Sequence, residues 1–452
     1  VVRDCLTRGI TSPTPFGFAE RMRDNGFKKG MLDEFYIYDR ILTSTEIKIL
    51  AKQTKADQGI ELDDQSLFSI YSHAVNPKAL ELQKKLYDQR LSYGKQRERI
   101  GQIMVMKEMP EPRKTYILER GLYSEPSEEV FRDTPAALSP LNENYPQDRL
   151  GLAKWLTEKD HPLFARVTVN RYWQMIFGMG LVSTSEDFGS QGKPPSHPEL
   201  LDWLARDFIS SGWNLRHLLS RMVLSSTYKQ SSKITKDALD KDPQNFLLAR
   251  SSSYRWPAEM IRDSALAYGD LLHQKVGGPS VRPYDLQVSF KPSRPDNAPN
   301  IHRRSLYTYW QRTAPSPVMM ALDSSKKDIC MVKRERTDSA AQSLVLLNGP
   351  QFVEAARATA EKLIKKHGID NGEALSTDAF RMLTSRKPTT EEADILKRLL
   401  SEQIEVYQDR NQSHAFLEVG QVKTHTKNPS YTAAVSSLVS TLMNFDESTS
   451  KR

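Results

Sequence analysis

The sequence predicts a mainly α protein: a multi-helix C-terminal domain with loop-rich insertions, behind the terminal β-strands of an incomplete β-sandwich at the N-terminus. Three observations carry that expectation. Apolar residues recur at helical spacing from Leu67 onward, no βαβ alternation occurs, and aromatic strand-like runs with turn residues between them concentrate in the first fifty positions. A chain of 452 residues, 38% hydrophobic and 27% charged, has room for about three folding units with a packed core. The boundaries read as 1–54 for the strands, 55–145 for a helical and extended connector, and 146–450 for the helical domain.

At the start, Phe16-Gly17-Phe18 and the run Gly30 through Tyr38 read as two strands around the turn Asp24-Asn25-Gly26. Thr43-Ser44-Thr45-Glu46-Ile47 then opens a short helix to about Gln53. So few strands cannot cover their own faces, so this segment is expected to complete a sheet supplied from elsewhere. Next, Leu67, Ile70 and Tyr71, then Ala79, Leu82, Leu86 and Tyr93, give a helical hairpin broken at Asn76-Pro77. Ile103–Met106 reads as a short strand, the stretch from Pro110 to Gly121 as extended and either paired or lying along a surface, and residues 124–147, with four prolines, as an extended connector.

In the third unit, amphipathic helices are expected at Asp148–Thr157 and Phe164–Phe177, the second stopped by Gly178. Ser196 is expected to cap a third helix through a Ser-x-x-Glu box with Glu199, with Pro198 in its first turn. Gly212-Trp213-Asn214 ends that helix before a fourth from Leu215 to Ser225. Further helices are expected at 256–272, 339–366, 375–384, 389–408 and 430–445. Residues 273–337 read as loop-rich, with a strand at Leu306–Tyr309. Trp155, Trp173, Trp203 and Trp213 are expected to anchor the core.

Several classes are excluded or disfavoured. No run of about 18 apolar residues occurs, so no transmembrane helix is expected. Two cysteines, Cys5 and Cys330, rule out a disulfide framework or a Cys-rich zinc site, and no Cys-x-x-Cys-His occurs, so no covalent haem is expected within this chain. The net charge of +8 suits either a polyanion partner, such as nucleic acid, an anionic polysaccharide or an acidic protein, or ordinary solubility charge, and the second reading is favoured. No Lys/Arg run with interleaved aromatics points to nucleic acid. The opening Val1-Val2-Arg3 carries neither an initiating Met nor a secretory signal, so the chain reads as a piece of a longer protein.

Two resemblances emerge from longer strings. Gly30 through Ile47, a Gly-x-hydrophobic-Asp-Glu strand followed by Leu-Thr-x-x-Glu-Ile, resembles the closing strands of a laminin-G/concanavalin-like lectin sandwich. Asn170-Arg171-Tyr172-Trp173, Phe177 to Val182, Asp187-Phe188-Gly189 and Pro195 to Asp202 resemble planctomycete-specific domain one, a domain of unknown function in planctomycete-type cytochrome c proteins. The likeness continues through Gly212-Trp213, Ser225 to Tyr228, Arg255 to Glu259, Gly277 to Val281, Arg303 to Tyr307, Leu347 to Phe352 and Leu442 to Glu447, and the 103–123 connector is similar too. Ser448 and Gly349 depart from the family pattern. The resemblance implies an extracytoplasmic location (periplasm or cell surface), with haem c in an upstream domain or partner cytochrome, a companion segment completing the sandwich, and a setting in polysaccharide processing. It assigns no reaction.

Candidate chemistry is dispersed. His197 at a helix start suits a general base or ligand, or simply part of a capping segment. Asp187, Glu259 and Asp263 are, with His197, the candidate catalytic residues, since paired carboxylates would permit glycoside hydrolysis. Glu259 and Asp263 share a helix face. Arg171, Arg255, His302, Arg303, Arg304 and Tyr307 are candidate ligand-binding residues, because guanidinium groups fork oxyanions and aromatic faces stack on sugars. Arg262, Arg334 and Arg336 invite the same reading, and all of these equally suit a structural role. No closely spaced His/Cys pair points to a metal. Three readings stay open: a redox-associated protein of polysaccharide processing, a non-catalytic glycan-binding or assembly scaffold, and a polysaccharide hydrolase. Whether the chain is an enzyme is open with them.

Overall fold

The computed structural model describes residues 35–38, 42–52, 62–101, 103–285 and 294–452. The chain is mainly α, and it divides into two compact units, Val1–Lys114 and Thr115–Arg452.

In the first unit, α1 (Ser44–Lys52) starts where the sequence places it. Thr43 and Glu46 close a reciprocal box: the Thr43 N–H donates to Glu46 Oε2 at 2.7 Å and the Glu46 N–H to Thr43 Oγ1 at 3.2 Å. The expected strand at Phe16–Phe18, and the run from Gly30 as far as residue 34, lie outside the described residues; residues 35–38 are exposed and outside any strand. The hairpin forms as expected from α2 (Asp64–Ala74) and α3 (Pro77–Glu98). Asn76 caps α3 through the Lys78 and Ala79 N–H groups, and Pro77 takes the first turn, where its missing N–H costs nothing. The two helices are tied by Gln83 Nε2 donating to the Ser72 carbonyl at 3.3 Å, and neither buries a side chain. The strand expected at Ile103–Met106 does not form. Those side chains are exposed and the backbone has no ladder partner among the described residues, so alternation alone was insufficient.

The second unit opens with an antiparallel hairpin, β1 (Thr115–Leu118) against β2 (Pro126–Val130), in the register Thr115 to Val130. This corrects the reading of 124–147 as wholly connector, since its first stretch is the partner strand that Pro110–Gly121 needed. Helices α4 (Arg149–Leu156), α5 (Phe164–Phe177), α6 (Pro198–Ser210) and α7 (Leu215–Leu224) follow, and the last three enclose one core. Val169, Trp173, Phe177, Leu201, Leu204, Phe208, Leu218 and Met222 fill it, because they recur at three- and four-residue spacing on facing sides. His197, not Ser196, is the residue before α6, and no side-chain cap forms there, so the expected Ser-x-x-Glu box is absent. Trp203 is 52% exposed beneath Arg221, so it is not the core anchor expected.

After α8 (Ser226–Lys229) and α9 (Lys236–Lys241), β3 (Tyr254–Arg255) leads into α10 (Ala258–Tyr268). The larger core lies between α10, α11 (Pro317–Ala321), α12 (Ala340–Asn348), α13 (Pro350–His367), α14 (Gly372–Thr384), α15 (Thr390–Val406) and α17 (Pro429–Met443). On α13 and α17 the small residues Ala355, Ala356, Ala360, Ala433, Ala434, Ser436 and Ser440 are buried, which lets two helix backbones approach closely. The single helix expected at 339–366 is two helices. Pro350 has no N–H to continue α12 and instead occupies the first turn of α13. The strand expected at Leu306–Tyr309 is a 3₁₀ turn over Ser305–Tyr307, with only a single bridge from Thr308 to Val281. Helix α16 (Arg410–Leu417) was not anticipated. Finally α18 (Asp446–Thr449) and β4 (Ser450–Lys451) return the chain to β3, pairing Tyr254 with Lys451.

Candidate functional site

Two assemblies of polar side chains stand out in the second unit. One is an interior network, and the other lines a cleft.

The interior network gathers Arg262, Asp263, His302, Arg303 and Tyr307 from the sequence candidates. Arg262, on α10 and 1% exposed, donates to the carbonyls of Ile301 (2.6 Å) and Arg303 (3.0 Å), to Gln351 Oε1 (2.7 Å) and to Ser305 Oγ (3.1 Å). Asp263 Oδ1 accepts from the backbone N–H and the hydroxyl of Ser305. Arg303 donates to the carbonyls of Lys275, Gly277 and Pro279 and lies 3.8 Å from the centre of the Tyr307 ring, whose hydroxyl accepts from the Gly277 N–H. His302 Nε2 meets Glu354 Oε2 at 2.9 Å. Burial resists ionisation of Glu354, but the bonds from His302 and from the Val422 and Gln421 N–H groups hold its carboxyl below the ordinary range. The two arginines spend most of their donors on backbone carbonyls. They replace a ladder for a loop-rich stretch that has none.

Elsewhere the candidates are separated. Glu259 Oε2 pairs with Arg334 at 2.6 Å; burial opposes its charge, yet the pair and the Lys327 charge leave the carboxyl below its usual value, which suits an ion-pair partner better than a proton donor. Arg255 pairs with Asp338 at 3.0 Å. Asp187 caps a turn through the Gly189 N–H, and His197 Nδ1 lies 3.0 Å from Ser196 Oγ. Arg171 and Arg304 are exposed. A second cavity, of about 420 Å³, lies beside α14. There His367 and Lys366 both donate to Asp378 Oδ2, and together they hold that carboxyl below its usual range. No group of three or more His, Cys, Asp or Glu is placed to hold a metal among the described residues.

The cleft, about 360 Å³, sits at the C-terminal end of α5. Gly178 ends that helix at φ 83°, a conformation glycine adopts without strain, and Tyr254 packs against the space its missing side chain leaves. Asn170 anchors the following turn from inside, donating to the Val182 carbonyl and accepting the Val182 N–H at 2.8 Å. Trp173 and Phe177 stack with centroids 4.0 Å apart and form the floor. Tyr254 is fixed by its hydroxyl, which donates to the carbonyls of Met175 and Ile176, and by the β3–β4 pairing. The Arg336 guanidinium lies 4.3 Å over the Tyr254 ring and donates to the Gly178 carbonyl. Ser251, Ser252, Ser253, Gln244, Asn245 and Arg250 supply the polar wall. Burial pushes the Tyr254 phenol up and draws the Arg336 guanidinium and the Lys451 ammonium down, as expected for charge held partly out of water.

Of the arginines singled out in the sequence, only Arg336 lines this cleft. Tyr254, Arg250 and the serine run were not anticipated. The string Ser251-Ser252-Ser253-Tyr254, hydroxyls leading to an aromatic ring, is the signal that could have found them.

No curated protein and no solved structure matches the chain. The family model described as "PSD1: Protein of unknown function (DUF1553)" matches residues 148–400, more than half of the sequence, and that span holds the whole lining of the cleft. The chain belongs to the PSD1 family of proteins of unknown function.

Proposed function

We propose that the chain acts within an extracytoplasmic multidomain protein of polysaccharide processing, beside a haem c redox system, and that the cleft is its glycan-docking site. The observation that carries the docking site is the lining: a Trp173–Phe177 stack and the Tyr254 ring share the cleft with Ser251, Ser252, Ser253 and Gln244. Sugars have apolar faces that lie on aromatic rings and a hydroxyl rim that needs small polar partners, and a few convergent polar groups among rings is the composition of ligand pockets generally. The lectin-like string from Gly30 to Ile47 and the likeness to planctomycete-type cytochrome c proteins support the setting. Cys5 and Cys330 form no Cys-x-x-Cys-His, so they do not fit covalent haem attachment, and the redox group belongs on an upstream domain or a partner cytochrome.

Binding is favoured over hydrolysis because Glu259 is paired to Arg334 and Asp263 is bonded to Ser305, which ties up the two candidate carboxylates that share α10. A glycan array probed with the full chain tests the docking site. Selective retention of polysaccharides without release of reducing ends is expected, and an array with no retained glycan removes the reading. The redox setting is tested separately, by a Soret band in the native assembly purified through this chain; its absence removes haem c from the account.

A further inference from the structure

The charge of the cleft narrows the ligand further, on the premise that the cleft docks a glycan. Arg250 and Arg336 line it, and no Asp or Glu does. Neither arginine has an ion-pair partner among the described residues. Arg250 donates to the carbonyls of Asp242 and Pro243, which satisfy its N–H groups without neutralising it. The carboxylate of Asp242 is itself buried and accepts the Phe246 and Leu247 N–H groups. Arg336 spends one N–H on the Gly178 carbonyl at 3.2 Å; its remaining donors have no acceptor among the described residues, while Tyr254 holds the guanidinium plane in place. A third cation, Lys451, contacts Ser251 Oγ at 3.1 Å and sits between the Tyr228 and Tyr254 rings.

We infer that the cleft takes an acidic sugar, with a carboxylate or sulfate oxyanion held by the free edge of Arg336 and the ring laid against the aromatic floor. A guanidinium fixed by stacking loses little freedom when it forks an oxyanion, and such charge-assisted bonds are about twice as strong as neutral ones. The cleft volume, about 360 Å³, lies in the range of small-ligand sites and suits a short saccharide.

The test is calorimetry on the full chain with three length-matched probes: oligogalacturonate, a sulfated galactose oligosaccharide and a neutral galactose oligosaccharide. The acidic probes are expected to bind about 10-fold tighter than the neutral one at low salt, with the margin narrowing as ionic strength rises. Arg336→Gln is expected to bring the acidic-to-neutral ratio toward unity, and Arg336→Lys, which keeps charge but not the fork, to fall between. The two acidic probes separate carboxylate from sulfate recognition. Equal binding of acidic and neutral probes overturns this inference and leaves the glycan site standing; no binding by any probe overturns both. Should Arg336→Gln fail to fold, the salt dependence of the unaltered chain still decides, because a salt-independent preference contradicts an Arg-held oxyanion.

Discussion

His302 Nε2 lies 2.9 Å from Glu354 Oε2, and the two side chains are 2% and 1% exposed. Glu354 Oε1 meanwhile accepts the N–H groups of Gln421 and Val422 at 2.7 and 2.6 Å, so one carboxylate on α13 joins the 300s loop to the segment after α16. Removing it would strand the buried His302 and leave two partly buried N–H groups without their acceptor. Glu354→Ala is therefore expected to cost about 3–5 kcal/mol, and Glu354→Gln less, because the amide oxygen can still accept. Urea denaturation of both variants measures this; a Glu354→Ala loss under about 1 kcal/mol would contradict the structural role assigned to the pair.

Arg386 bridges Glu392, at the start of α15, and Glu447 in α18, with contacts of 2.6 and 2.8 Å. The Arg386 bonds hold the Glu392 carboxyl at about 2, below the ordinary 4.5. A depressed carboxyl stabilises the fold when ionised, so its contribution is complete above about 4.5, shrinks as pH falls, and is gone below about 2. All three side chains are partly exposed, so Arg386→Gln should cost only about 1–2 kcal/mol near neutrality. Thermal melts from pH 7 down to pH 2 should show the variant converging on the parent chain; a constant gap would mean the network does not titrate as described.

The helices were legible where sequence period and terminators agree. Phe164–Phe177 forms with the bounds expected, since its apolar stripe ends at a glycine that can take positive φ. Helix α16 was missed because Arg-Asn-Gln-Ser-His-Ala-Phe-Leu offers too few apolar residues to define a face, and its buried contacts, Ser413 and Leu417, are supplied by packing. The site was less legible. His302 and Arg303 look like ligand-binding residues in sequence because their partners, Glu354 and the carbonyls of residues 275–279, are distant along the chain. Tyr254 meets Lys451 through the β3–β4 pairing and Arg336 from a loop about eighty residues on, and no local spacing encodes either contact.

Leu218 on α7 is fully buried between α5 and α6. Leu218→Ala is expected to destabilise by about 2–5 kcal/mol, through lost burial and the cavity left behind. Because Trp173 and Phe177 share that core and form the cleft floor, the same variant should also weaken glycan binding at temperatures well below its melting point. Differential scanning calorimetry with a parallel binding titration checks both; destabilisation with unchanged binding would uncouple the floor from the core.

Gly178 and Gly212 both hold positive φ, at 83° and 70°, but their surroundings differ. A Cβ on Gly212 would meet open space, whereas one on Gly178 would lie 2.7 Å from Tyr254 Cδ1. Gly212→Ala therefore reports backbone strain alone, about 1 kcal/mol. Gly178→Ala adds displacement of the Tyr254 ring, and with it the stacked Arg336, so it should cost about 1–2 kcal/mol more and reduce oligosaccharide affinity, while Gly212→Ala leaves affinity unchanged. Paired urea titrations and calorimetry on the two variants make the comparison. If Gly178→Ala proves no more harmful than Gly212→Ala on either measure, Tyr254 is not held where the cleft requires it.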